Sequence, residues 1–408
     1  MALLDLTFDV PGVIAEGLAN GSLERVGGVV REMATKRVVM WLREFSLDPT
    51  VVPGGVFNPL MTNLNPATGV FNLAMQGVNA GLSLKGFAAV NQRLDTIQGV
   101  LTLTSAASIL NLGVSVMGFA VIAQRLKGLE QRLQKAQEIL QKIDHKIDLS
   151  FYANFRAALD LASNAFTMTK GENRRNSALN AINRFLEAEH IYTDFVDKEL
   201  ELKSQISDEY LLTLYLAYIA EARCYLELEE FETATRRFRE GSAQVRLRVE
   251  KYVDLLLTSC PLMYLHPALK EKTDLSRLTK IYQWKNPELD ENSAFELMRN
   301  EFISNDNQFN KWIESLPASV IEKSKFKKDF WGIKQETRDE VIQRLPQMLE
   351  DMESMVESDR RFEAYEIEVK TIAKLGISFH EWLQLKPAEP QPEGATLMCI
   401  VPAEPLEL

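Results

Sequence analysis

Two long runs near the start of the chain carry no charge. Pro49 to Leu84 contains no Asp, Glu, Lys or Arg. After a break holding Lys85, Arg93 and Asp95, Thr96 to Gln124 is again uncharged. A helix on the surface of a soluble domain gives roughly half its circumference to polar groups, so a segment apolar on every side belongs in a protein interior or in lipid. Pro49 to Pro66 reads as a loop, and Thr68–Leu84 and Val100–Gln124 predict two apolar helices, paired as a hairpin, inside a mostly α-helical protein.

Charge is spread unevenly around them. Residues 1–125 hold eight basic and eight acidic side chains, so the net −11 lies entirely beyond them. An acidic body lacks the basic stripe of nucleic-acid binders, and no nucleic-acid partner is expected. Cys224, Cys260 and Cys399 form no CxxC pair, which fits a reducing compartment. Met1 to Pro11 includes Asp5 and Asp9 and no basic residue, unlike a secretory leader. A cytoplasmic protein with conditional membrane association is the expectation.

Five segments follow from the punctuation. Residues 1–66 form an N-terminal segment. Asp9-Val10-Pro11 reads as a helix start and Gly21 as its stop. Gly27 to Arg31 and Arg37 to Arg43 are β-branched runs around a short connection, a hairpin expected to be the one sheet of the protein. Residues 67–150 hold the apolar hairpin and a coiled-coil helix. In the first arm, Gly77 and Gly81 share one helix face and admit a close neighbour. From the second arm, Phe119, Ile122, Leu126, Leu129, Leu133, Ala136, Leu140, Ile143 and Ile147 alternate spacings of three and four, a heptad seam. No proline interrupts Thr96 to Ala158, which predicts one helix about 90 Å long.

Residues 151–260 read as helical hairpins. Within them Ala222, Tyr225, Phe231, Ala234, Phe238 and Gly241 fall on the offsets of one tetratricopeptide repeat, with no second copy in register. Cys260-Pro261 and His266-Pro267 mark a break before a C-terminal helical domain, 261–385. There Val341, Leu345, Met348, Met352 and Met355 line one helix face, with Pro346 as a kink or a new start. The Pro/Glu-rich tail, 386–408, cannot build a core and is expected to be disordered.

No residue set makes a case for catalysis, a metal or a cofactor. Glu187 and His190 have the i, i+3 spacing of a di-iron ligand pair, but no second pair accompanies them. Asp144, His145 and Asp148 read as the wet side of the coiled coil. Cys224 lies in an apolar helical run, where a buried, inert thiol is the default. Cys260 and His266 flank a proline-rich turn, and phosphate-loop, nucleophile-elbow and zincin motifs are missing.

Eleven residues of Val100–Gln124 are Leu, Ile, Val or Phe. They favour membrane insertion by about 3–7 kcal/mol, and the seven polar residues among them, Asn111 included, make that insertion marginal. Ile109, Leu110, Asn111, Leu112, Val114, Val116 and Phe119, with Gly77 and Gly81, are the candidate membrane-contacting residues. Paired uncharged segments running into a heptad helix resemble the helical, α-type pore-forming toxins over residues 68–160. The block Gly27-Gly28-Val29-Val30-Arg31 with Val39-Met40-Trp41-Leu42-Arg43 is similar to an uncharacterised bacterial protein family. The first resemblance implies a non-enzymatic effector that hides an apolar hairpin in its soluble form and permeabilises a membrane when triggered, in bacterial defence or toxin systems. Its expected partners are membrane lipid, a second copy of the chain, and a protein partner or activating protease. The alternative is a soluble scaffold that binds proteins through the coiled coil and the helical hairpins.

Overall fold

A computed structural model describes residues 3–44, 98–106, 119–140, 149–204, 206–270, 272–299, 306–318, 320–321, 327–329, 332–383, 385, 397–402 and 404–408. The chain is mostly α-helical. Among the described residues it has eleven helices and three small antiparallel sheets.

The helical body forms around two deeply buried helices. Helix α5 (Ser207–Glu227), with its run Tyr-Leu-Leu-Thr-Leu-Tyr-Leu-Ala-Tyr-Ile-Ala, is buried along almost its whole length, as a helix without a polar face must be. It lies between α4 (Gly171–Glu201) and α6 (Phe231–Leu257), reached by the tight turn Leu228–Glu230. Helix α10 (Gln335–Leu375) packs along α6 and buries every residue from Ser354 to Asp359. Phe362 of α10 meets Tyr215 of α5 at 5.2 Å and Phe238 of α6 at 5.4 Å. Gly241 makes this approach possible, because a Cβ there would sit 2.8 Å from the Tyr218 ring. The expected pair of interlocked helices is thus present, and Ala222, Ala234 and Phe238 are fully buried in it.

Helix α2 (Phe119–Leu140) and α3 (Ser150–Thr167) lie against each other, and α2 also packs on α5. Phe119 stacks on Phe166 at 5.8 Å, so the start of α2 meets the end of α3 and the pair is antiparallel. One 90 Å helix over Thr96–Ala158 is therefore incorrect. Burying two apolar stripes against the body outweighs the helical continuity that the sequence permits.

Past α6, two 3-10 turns (Pro261–Leu265 and Pro267–Leu269) carry the expected proline break. They lead to three short helices, α7 (Leu275–Lys285), α8 (Glu291–Arg299) and α9 (Asp306–Ser315). In α10 the face predicted from Val341, Leu345, Met348, Met352 and Met355 is buried except at Met348, which is half-buried. Pro346 lies inside a helix that continues to Gly376, which closes it at φ +64°. The short α11 (Phe379–Leu383) then docks Trp382 into the core.

The β structure exceeds the expected single hairpin. Strand β1 (Leu3–Pro11) precedes α1 (Gly12–Asn20), so Asp9 and Val10 end a strand, and Pro11 caps the helix. Gly21 stops α1 at φ +77°, as expected. Strands β2 (Leu23–Val26), β3 (Val29–Glu32) and β4 (Val38–Glu44) form a meander that includes the expected hairpin. Its two faces are both covered. Val29 and Trp41 face the helical body, where Trp41 meets Trp382 edge-on at 6.0 Å, while Val30, Met40 and Leu42 pack with Val10 and Ile14. Two-sided burial explains why Val-Val-Met-Trp-Leu is apolar without alternation.

Two longer strands arise from distant sequence. Strand β5 (Gln98–Ala106) pairs antiparallel with β1, from Leu3↔Ala106 to Pro11↔Gln98. The expected helix over Val100–Gln124 is thus incorrect for Val100–Ala106. The alternation Leu101-Thr102-Leu103-Thr104 suits a pleated strand. A minimal hairpin of β6 (Lys328–Asp329) and β7 (Gly332–Ile333) leads into α10. Strand β8 (Leu397–Ile400) pairs with β4, and Leu406 exchanges two 2.8 Å backbone hydrogen bonds with Val38. These residues of the tail are ordered, against expectation, because β4 offers an unpaired edge to the apolar run Leu-Met-Cys-Ile. The whole of the first apolar arm, including Gly77 and Gly81, lies outside the described residues, as do residues 107–118 of the second.

Candidate functional site

The heptad helix α2 and the cradle that holds it are the part of the molecule most closely tied to the sequence signal. Phe119, Ile122, Leu126, Leu129 and Leu133 are at most 9% exposed, and Ala136 is half-buried. Gln124, Lys127, Gln131 and Gln134 point to solvent. The seam is filled by α3 and α5 of the same chain. A heptad reports an apolar stripe and its period, but not whether the partner stripe lies on another molecule. Leu140, Ile143 and Ile147 lie outside the residues whose side chains are described, as do Ile109, Leu110, Asn111, Leu112, Val114 and Val116.

Polar ties fix α2 at three heights. At its start, Phe119 lies 5.7 Å under the Arg223 guanidinium of α5. Arg223 also covers Phe379 of α11 at 4.5 Å and pairs with Glu227, whose carboxylate lies 3.1 Å from His380 Nε2. Burial pulls the Arg223 guanidinium below its usual range, against the neighbouring Glu227. Midway, Arg156 of α3 donates to Glu130 of α2 at 2.6 Å. Further along, Arg132 of α2 pairs with Glu209 and reaches Asp208 at 3.6 Å, both on the first turn of α5. Asp351 of α10 faces the same group.

Three carboxylates around one guanidinium make an electrostatically crowded joint. Burial, with Asp351 opposing the pull of Arg132, raises Asp208 to about 6. Burial and then Asp208 raise Glu209 to about 8. The ordinary values are 3.8 and 4.5. Groups whose folded pKa is raised lend their full stability below those ordinary values and lose it as pH climbs through the raised ones. Asp208→Asn therefore gains on the wild type between about pH 5 and pH 8, by about 1 kcal/mol at the upper end. Urea unfolding at both pH values measures this, and a pH-independent difference would contradict it.

The other expected constellations stay apart. Glu187 pairs with Arg184 at 3.2 Å on the exposed face of α4, and His190 is exposed. Among the described residues no group of His, Cys, Asp and Glu could hold a metal ion. Cys224 is fully buried, and burial drives its thiol upward. Cys260 is buried, while His266 Nδ1 accepts from the Ala268 N–H at 3.2 Å as a turn cap. Asp144, His145 and Asp148 lie outside the described residues. An open groove of about 290 Å³ runs between α3 and α4, with Phe151, Asn154, Leu161, Arg184, Glu187 and Ile191 on its walls.

Sequence reasoning missed the buried charges. Glu221 and Arg223 interrupt the apolar run of α5, and that interruption is the signal that marks them. No protein-family model, no curated protein and no solved structure matches this chain.

Proposed function

We propose that the chain is a non-enzymatic, membrane-active effector whose heptad helix is held by its own body until a trigger frees the apolar sequence next to it. The observation that carries this reading is the seam of α2. Its apolar face is satisfied internally by α3 and α5, and the sequence leading into it, Thr96–Gln124, has no charge. Joined polar ties at Arg132, Arg156 and Arg223 give such a helix defined points of release. Among the described residues no helix is long and apolar enough to cross a membrane. The reading therefore requires the β1–β5 ladder to part and its second strand to refold.

Dye-loaded vesicles of phosphatidylcholine and phosphatidylglycerol test it. Leakage is expected after limited proteolysis or a pH step, with Val114→Asp abolishing it because a charge near mid-membrane costs about 3 kcal/mol. No leakage and no co-sedimentation under any trigger would end the reading.

The groove between α3 and α4 favours a second reading, a helical adaptor for a protein partner. A stable soluble assembly that never joins vesicles, seen by light scattering, would support the adaptor over the effector.

A further inference from the structure

Three helices of the body meet at one partly buried guanidinium. Arg237 of α6 donates through Nε to both oxygens of Glu221 on α5, at 2.9 and 2.6 Å, and through Nη2 to Glu189 Oε2 on α4. Its Nη1 reaches Glu240 at 2.5 Å, and its plane lies 5.5 Å from the Tyr218 ring. Glu221 is 0% exposed and Glu189 is 4% exposed.

The charges do not balance. Glu240 is half in solvent and also accepts from Arg236 at 2.9 Å, so it needs little from Arg237. That leaves two interior carboxylates on one guanidinium, close enough to hydrogen-bond each other. An uncompensated interior anion costs several kcal/mol, and a carboxyl in that position keeps a proton instead. One atom records the mismatch: Glu189 Oε1 is buried and meets no donor among the described residues. A second acceptor beside Glu221 cannot satisfy it, but an O–H there can donate to Glu221.

Among the described residues, no other group facing the pair relieves it. From α5 these are Tyr218, Cys224 and Tyr225. From α6 they are Arg236, Glu240 and Arg248, the last already paired with Asp197 at 2.6 Å.

We propose that Glu189 and Glu221 share one proton in the native protein at neutral pH, carried on Glu189 Oε1 and donated to Glu221, so that α4, α5 and α6 are clasped by a proton as well as by Arg237. Burial first, and the Glu221 carboxylate second, push Glu189 up to about 10. A raised folded-state pKa lends stability that is complete below the ordinary carboxyl value and lost as pH rises through about 10. The clasp is thus a device that alkali loosens and acid leaves closed.

Infrared spectroscopy of the full chain reads the proton directly. In a Glu209→Gln background, which removes the other interior carboxyl raised above neutrality, a protonated-carboxyl C=O stretch is expected at neutral pH, disappearing as pH approaches about 10. Glu189→Gln and Glu221→Gln should each remove that band. In Glu189→Gln the side-chain amide N–H replaces the O–H as donor. That variant should therefore melt within a few degrees of the wild type at neutral pH and lose less stability toward alkali. Absence of the band in the Glu209→Gln background with Glu189 and Glu221 intact, as a water or cation between the carboxylates would produce, overturns the proposal. So does a band that survives in both variants, or an alkaline stability profile of Glu189→Gln parallel to the wild type.

Discussion

Gly27→Ala is expected to lower the unfolding free energy by about 2–4 kcal/mol. Two costs add at this position. Gly27 has φ +52°, in the left-handed region, where a Cβ meets its own carbonyl and costs about 1 kcal/mol. The added carbon would also lie 2.5 Å from Arg361 Cα and 2.7 Å from the Arg360 carbonyl oxygen. Both are backbone atoms of α10, so no rotamer change relieves the overlap, and a forced backbone shift costs typically 1–3 kcal/mol. Gly27 sits in the turn between β2 and β3, and the overlap pushes the whole sheet off α10. Urea unfolding with an unchanged slope would show the loss. A variant within about 0.5 kcal/mol of the wild type would mean that the sheet rests on α10 more loosely than the structure describes.

The second large effect lies in the same joint. Arg25 clamps Glu357 of α10 with two parallel hydrogen bonds, each 2.9 Å, and donates to the Gly27 carbonyl at 2.8 Å. Arg361 adds a third hydrogen bond to Glu357 at 3.1 Å. Glu357→Ala leaves Arg25, Arg360 and Arg361 facing one another without their anion, and a loss of about 3–5 kcal/mol follows from breaking a buried pair on one side. The double variant Arg25→Met with Glu357→Met should lose less than Glu357→Ala, because it removes the charge that the single variant strands.

Acid dissects this joint. Burial alone would raise the Glu357 carboxyl, but Arg25, with Arg361 and Arg360 behind it, holds it down at about 2. A depressed carboxyl lends stability that is complete above its ordinary value of 4.5 and is lost as pH falls toward about 2. The gap between wild type and Glu357→Ala should be constant down to about pH 4.5 and close below it. A gap that persists unchanged to pH 2 would show that Glu357 acts through packing rather than charge.

The legible parts of the fold were those written in short-range periodicity. The α2 seam, the apolar face of α10 before Ser358, the β3–β4 hairpin and the Gly21 stop all rest on residues within a few turns of one another. What escaped depends on partners far along the chain. Leu101-Thr102-Leu103-Thr104 reads equally as the polar-speckled start of an apolar helix or as a strand, and only pairing with Leu3–Pro11 decides it. Leu397–Ile400 is apolar enough for a strand but sits behind a proline-rich stretch, so its composition argued for disorder until β4 supplied an edge. The occupant of the α2 seam was hidden for the same reason, since a stripe carries no address. The buried charges of the candidate site sat in plain view within α5, yet only the folded arrangement shows that Arg132, Arg223 and Arg237 each hold a different neighbouring helix.

The place of β8 in the sheet has a consequence for the timing of synthesis. Strand β4 is complete when residue 44 has left the ribosome, but its neighbour on one side is Leu397–Ile400. Nearly the whole helical body is made in between. Throughout that interval the nascent chain carries an open row of backbone donors and acceptors, the kind of edge that recruits strands from other chains. Folding of the first segment is therefore coupled to completion of the last. A ribosome stalled after α11 would release a chain with a finished helical core and an unsealed sheet, a species suited to chaperone capture.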